Sequence, residues 1–202
     1  MNQYDNQSDT ELLQAMLAGD EDALGHLYRR RHDGVYRFAL HMSGSPAVAE
    51  DVTQEVFMVL IREGHAFDCQ RGTVNSFLLG VARNHVLRRA HRERFYVSLD
   101  EEGHDECGIA AVNHGPGDEL LRRESITSVR RAVLALPEKY REVVVLCDLQ
   151  EMSYAEAAEI LKCAVGTVRS RLHRGRSLLI DKLRPVEQED KVAATRSARC
   201  FA

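Results

Sequence analysis

Between Ser98 and Gly117 the chain holds five acids, Gly103, Gly108, Gly115, Pro116 and Gly117, and neither Lys nor Arg. No apolar residue recurs there at helical spacing, so the stretch offers no face to a core. It divides the chain in two. On both sides, apolar residues recur at i, i+3, i+4 and i+7, and strand signals are nearly absent. Only Val143-Val144-Val145-Leu146 is β-rich, and it sits inside a longer helical pattern. The expected fold is therefore all-α. Two helical domains, residues 1–96 and 118–184, are joined by a flexible acidic linker, 97–117, and followed by a disordered tail, 185–202.

Local signals place the helices. Ser8 with Glu11 reads as a capping box, and Asp20 caps a second helix carrying Ala23, Leu24, Leu27 and Tyr28. Ser45-Pro46 opens a third, with proline at the first helical position, that runs to about Arg62 before Gly64. After a loop from Gly64 to Thr73, a fourth spans Val74 to about Arg94. In the second half, Asp118 caps a helix ended by Pro137. A helix from Glu138 to about Leu149 follows, then two shorter ones, Tyr154–Leu161 and Val165–Leu183.

Composition narrows the function classes. The 202 residues include 44% hydrophobic and 29% charged, and no apolar run approaches the ~18 residues of a membrane span, so no stable membrane insertion is expected. The N-terminus lacks the basic and apolar blocks of a signal peptide. Cys69, Cys107, Cys147, Cys163 and Cys200 are scattered and odd in number, which excludes a disulfide scaffold and points to a reducing cytosol. There is no G-x-S-x-G, no H-x-x-x-H on a helix and no glycine-rich phosphate loop, so neither enzyme, metal site nor cofactor is expected.

Net charge is −4, but the charge is segregated. Arg71 to Tyr96 carries six arginines against Glu93, and Lys162 to Arg184 carries seven bases against Asp181. Two basic blocks around an acidic one suit two nucleic-acid-facing surfaces. The second block has a specific layout. Ser153 and Glu156 form a capping box, and Tyr154, Ala157, Ala158 and Leu161 make one apolar face. Lys162-Cys163-Ala164 is a tight turn, and Val165, Val168 and Leu172 restart the stripe. Thr167, Arg169, Ser170, His173 and Arg174 lie off it. This is a helix-turn-helix, whose second helix presents its N-terminal side chains to the major groove.

The run ALPEKYREVVVL (Ala135–Leu146), MSYAEAAEIL (Met152–Leu161) and VGTVRSRLHRGR (Val165–Arg176) closely resembles region 4 of bacterial RNA polymerase sigma factors of the extracytoplasmic-function (ECF) group. Independently, AEDVTQEVF (Ala49–Phe57), Phe67-Asp68, Arg71-Gly72-Thr73 and LLGVARN (Leu78–Asn84) resemble region 2 of the same group. The chain departs from the usual pattern at a few positions. Cys69 and Ala164 stand where proline is usual, Phe77 where tryptophan is usual, and Gly175 where alanine is usual. Glycine at 175 is expected to weaken its helix by ~1 kcal/mol relative to alanine.

The resemblance implies a transcription initiation factor that binds core RNA polymerase, at its β′ clamp helices and β flap, and directs it to promoter DNA. It also implies an anti-sigma partner. Asp51, Gln54, Glu55 and Met58 fall opposite the apolar side of their helix and correspond to the polymerase-docking face. The loop Asp68–Val74, with Asp68, Arg71, Asn84, Arg88, Arg89 and Arg92, corresponds to the surface for the −10 element, where the family melts DNA and captures a flipped base. Thr167, Arg169, Ser170, Arg171, His173 and Arg174 correspond to the surface for the −35 element. The rival reading is a two-domain helix-turn-helix regulator acting without polymerase.

Overall fold

A computed structural model describes residues 4, 6–70, 72–97 and 118–184. Arg71, the expected linker beyond Val97 and the expected tail lie outside the described residues. Every regular element among the described residues is helical.

Helix α1 (Asp9–Leu17) opens on the Ser8–Glu11 capping box, with both reciprocal hydrogen bonds made. Asp20 caps α2 (Glu21–Ser43) through the Ala23 amide, and Gly44 ends it in the left-handed conformation at φ 76°, which glycine adopts without a Cβ penalty. Ser45 caps α3 (Pro46–Glu63), and proline occupies its first turn. After a 3₁₀ turn at Gly64–Ala66, the Thr73 hydroxyl accepts from the Ser76 amide at 3.1 Å as α4 (Val74–Val97) begins. The four helices bury Leu12, Leu27, Phe38, Val52, Leu60 and Leu79 between them. At ~25 cal/mol per Å² of apolar area, such side chains supply the main stabilisation of a bundle this size.

In the second half, α5 (Asp118–Leu134) leads through Pro137 into α6 (Glu138–Val144). The expected helix to Leu149 is interrupted. Residues Val145–Leu149 form a wider π turn, closed by the Gln150 amide on the Val145 carbonyl at 3.0 Å. Val143 and Val144 at the end of α6 and Val145 and Leu146 in the π turn are all buried, one after another. Helices α7 (Tyr154–Leu161) and α8 (Val165–Leu183) complete the helix-turn-helix.

The two halves are not held apart. Helix α7 lies against α4, while α5 and the π turn lie against α2, and the buried apolar side chains of both halves form one continuous cluster. The Arg83 guanidinium on α4 meets the buried Glu142 carboxylate on α6 at 2.7 Å, and Arg141 donates to the Met42 carbonyl at 2.8 Å. Among the described residues no helix is long and apolar enough to cross a membrane.

Candidate functional site

Three polar surfaces stand on this frame. The first is the outer face of α3. Val52, Thr53, Val56, Phe57 and Leu60 turn inward, which leaves Asp51, Gln54 and Met58 exposed and Glu55 half-exposed. The apolar periodicity therefore places the four expected docking residues together, on the rim of one open hollow shared with Arg62, His85, Arg88, Arg89 and Arg92. Arg89 reaches across from α4 and donates to Asp51 at 3.0 Å and to Glu55 at 3.0 Å. The His85 ring also bonds the Glu55 carboxylate. Burial works against the charged Glu55, but Arg89 and His85 outweigh it and hold its carboxyl below the ordinary value. His85 and Arg62 were not among the residues expected at this face. The signal for His85 was its position one turn before Arg89, on the face that α3 covers.

The second surface lies where the loop after α3 enters α4. Asp68 accepts from the Gln70 amide at 2.9 Å, which tightens the loop. Phe67 and Phe77 meet edge to face at 5.9 Å and pack against the core. They form the floor of an open hollow of about 330 Å³, whose wall includes Asp68, Gly72, Ser76 and Asn84. Farther along α4, Asn84, Arg88 and Arg92 are exposed, whereas Leu79, Ala82 and Val86 are buried. Arg89 does not share the free face of Arg88 and Arg92, because its guanidinium is occupied by the α3 carboxylates. The far wall of the hollow comes from the other half of the chain: Glu159, Ile160 and Lys162 at the end of α7.

The third surface is α8. The Ser153–Glu156 capping box sets the start of α7, and Lys162 ends it in the left-handed conformation at φ 50°. Hydrogen bonds from the Ser153 hydroxyl and amide outweigh burial and keep the Glu156 carboxyl below its ordinary value, helped by Thr73 and Ser76. Val168 and Leu172 anchor α8. Arg169, Ser170, His173 and Arg174 are exposed, and Thr167 and Arg171 are half-exposed. The Arg169 guanidinium stands over the Tyr154 ring at 5.8 Å, so an aromatic side chain on α7 sets its direction. Farther along, Arg176 is held by both oxygens of Asp148, at 3.1 and 2.6 Å. Gly175 is buried against α6, and a β-carbon there would stand 2.8 Å from Val144 Cγ2. Its small size is a packing requirement, which the helix propensity alone did not reveal.

Among the described residues, no group of three or more His, Cys, Asp or Glu is placed to hold a metal. Of the described cysteines, Cys69 is exposed, and burial pushes the Cys147 thiol up to about 11.

Comparison with known proteins places these surfaces in a family. Residues 27–95 match the family Sigma-70 region 2, and residues 126–179 match Sigma-70, region 4. The chain is 32% identical over 172 residues to the ECF RNA polymerase sigma factor SigW of Bacillus subtilis (strain 168), covering 82% of this chain and 91% of that one. The chain belongs to the ECF sigma factors. A second ECF sigma factor, SigM of Mycobacterium tuberculosis (strain ATCC 25618 / H37Rv), is 33% identical over 172 residues, 85% of this chain and 83% of its own. This ECF sigma factor is thus a transcription initiation factor, and one matched region falls in each helical half. Its fold is shared by the sigma factor RpoE, solved with the anti-sigma factor NepR from Bartonella quintana, at a TM-score of 0.67 and 23% identity over 80% of this chain and 97% of that one. CnrH, solved with the cytosolic domain of CnrY, aligns with a TM-score of 0.63 and 25% identity over 88% of this chain and 97% of its own.

Proposed function

We propose that this ECF sigma factor joins core RNA polymerase in the cytoplasm and carries it to promoters, acting by binding rather than by turnover. The half containing residues 1–96 docks on the β′ clamp helices through Asp51, Gln54, Glu55 and Met58. It reads and opens the −10 element with Asp68, Arg71, Asn84, Arg88, Arg89 and Arg92. The half containing residues 118–184 meets the β flap and reads the −35 element with Thr167, Arg169, Ser170, Arg171, His173 and Arg174. A mixed face of carboxylates, an amide and a thioether suits a basic, partly apolar protein groove. Exposed guanidiniums suit phosphates and guanine edges. An anti-sigma factor, the kind of protein solved with RpoE, holds it inactive until a signal releases it.

The observation that carries the reading is the α3 face. Asp51, Gln54 and Met58 point outward from a helix whose other side is buried, on one open hollow shared with Arg88 and Arg92 of α4. A regulator that acts without polymerase has no use for that face. The test is transcription from genomic DNA with purified core polymerase, with the RNA starts sequenced. Starts that appear only when the protein is added, behind a shared two-part motif, are the expected result. Binding to duplex DNA with no association to polymerase would overturn the reading.

A further inference from the structure

Tyr154 is the one Phe, Tyr or Trp between Ser153 and Leu183. It shares a stripe of α7 with Ala157, Ala158 and Leu161, yet those three are buried and Tyr154 is 37% exposed. Its backbone is fixed from both sides by the capping box. The Ser153 amide and hydroxyl donate to the Glu156 carboxylate at 3.1 and 2.8 Å, and the Glu156 amide donates to the Ser153 hydroxyl at 3.2 Å. Helix α8 is set against α7 by the turn, where the Cys163 amide donates to the Ala158 carbonyl at 3.1 Å, and by the buried Val168 and Leu172. The ring therefore has a fixed place, and the Arg169 guanidinium lies over it at 5.8 Å.

Two arginines leave α8 on the same flank, two turns apart, and they are held in different ways. Arg176 donates from Nε and one terminal nitrogen to both oxygens of Asp148, so one edge of its donor fork is spent. Arg169 is held by a ring. The π face attracts the positive charge and leaves the N–H groups in the guanidinium plane to other acceptors. Arg169 thus has a set direction and still keeps the fork that matches guanine O6 and N7. It is exposed, and it leaves α8 toward the N-terminal end, the part of a second helix that enters the major groove.

We propose that Tyr154 is a positioning residue for promoter reading: its ring holds Arg169 at the angle from which Arg169 pairs with a guanine, so α7 shares in choosing one base of the −35 element. The proposal rests on the assignment of α8 to that element. A freely rotating arginine gives up its rotamers when it binds, and one already held over a ring gives up less. Without the ring, the same guanidinium can also swing to a phosphate, which adds affinity and selects no base. Loss of the ring therefore costs discrimination more than affinity. Loss of a mere packing residue would instead weaken binding to every sequence alike.

The test is transcription by the full chain with core polymerase from a promoter whose −35 element is randomised, with the transcribed members sequenced. Wild type is expected to prefer guanine at one position by about tenfold or more, and Arg169→Ala to abolish that preference. Tyr154→Leu keeps an apolar side chain and removes the ring. It is expected to abolish the same preference and to leave the other positions as they were. Tyr154→Phe keeps the ring and is expected to keep the preference. Tyr154→Leu/Arg169→Ala is expected to match Arg169→Ala, because the two residues act as one unit. Circular dichroism reports helix content and melting throughout. A guanine preference that survives in Tyr154→Leu overturns the proposal, as does a Tyr154→Leu that flattens every position equally. Loss of the preference in Tyr154→Phe also overturns it, by assigning the effect to the hydroxyl. A wild type that uses all members of the library equally, or none of them, overturns the assignment of α8 itself, and the proposal falls with it.

Discussion

The Arg89 guanidinium on α4 is shared between two carboxylates of α3, at 3.0 Å from Asp51 and 3.0 Å from Glu55. The pairs are half-exposed, so each contributes little to folding. Their importance lies in what the carboxylates are free to do. Asp51→Arg with Glu55→Arg is expected to leave the helix content unchanged and to weaken binding to core polymerase by about tenfold or more, since reversed rim charges repel a matched partner. Fluorescence anisotropy of labelled protein against purified core polymerase checks it.

The same pairing separates Arg89 from its neighbours. Arg88 and Arg92 are exposed, and in the proposed −10 role they meet phosphates. Arg88→Ala and Arg92→Ala are each expected to reduce the slope of log affinity against log salt by about one for promoter DNA bound with polymerase. Arg89→Ala is expected to change that slope less, because its charge already answers two carboxylates. Titrations at three or more salt concentrations decide the order.

Alanine is the usual residue where this chain has Gly175, and on helix propensity Gly175→Ala would add about 1 kcal/mol. The packing points the other way. The added carbon would stand 2.8 Å from a buried branch of Val144 and 3.4 Å from the Tyr140 carbonyl. Overpacking of this kind costs about 1–3 kcal/mol. Gly175→Ala is expected to lower the thermal midpoint by a few degrees. Combining it with Val144→Ala is expected to give a favourable coupling of at least about 0.5 kcal/mol in a double-mutant cycle. Calorimetry of the four proteins measures both.

His41 on α2 is half-buried and flanked by Arg130 and Arg37. Burial, then the two guanidiniums, hold its imidazole below the ordinary 6.5. The unfolded chain therefore takes up this proton at a higher pH than the folded one. The contribution to stability is whole above 6.5 and is lost as pH falls through the folded value. The thermal midpoint is expected to decline between about pH 7 and about pH 5, and to decline less in His41→Gln.

Caps and apolar periodicity made the helices legible. Ser8, Asp20, Ser45 and Ser153 each mark a start that the structure keeps, because a cap is a local bargain between a side chain and amides two or three residues away. The α3 face was legible for the same reason: its buried residues announce its exposed ones. What did not show is everything that depends on distant pairing. Arg83 reads as one more member of a basic block, and Glu142 as an ordinary polar helix position. They stand 59 residues apart in sequence, with no periodicity between them to link them. Tyr154 reads as core, but it sits 37% exposed and carries Arg169. Gly175 reads as a weak point in α8, although the constraint on it comes from α6.

The π turn at Val145–Leu149 has an effect beyond its own length. By widening one turn, it changes the azimuth at which the following side chains leave the axis, and Asp148 comes out facing Arg176. Two bonds to a planar guanidinium fix rotation as well as distance. The roll of α8 about its own axis is thereby keyed to one surplus residue on its neighbour, so deleting a residue there would re-aim the exposed side chains of α8 without touching any of them.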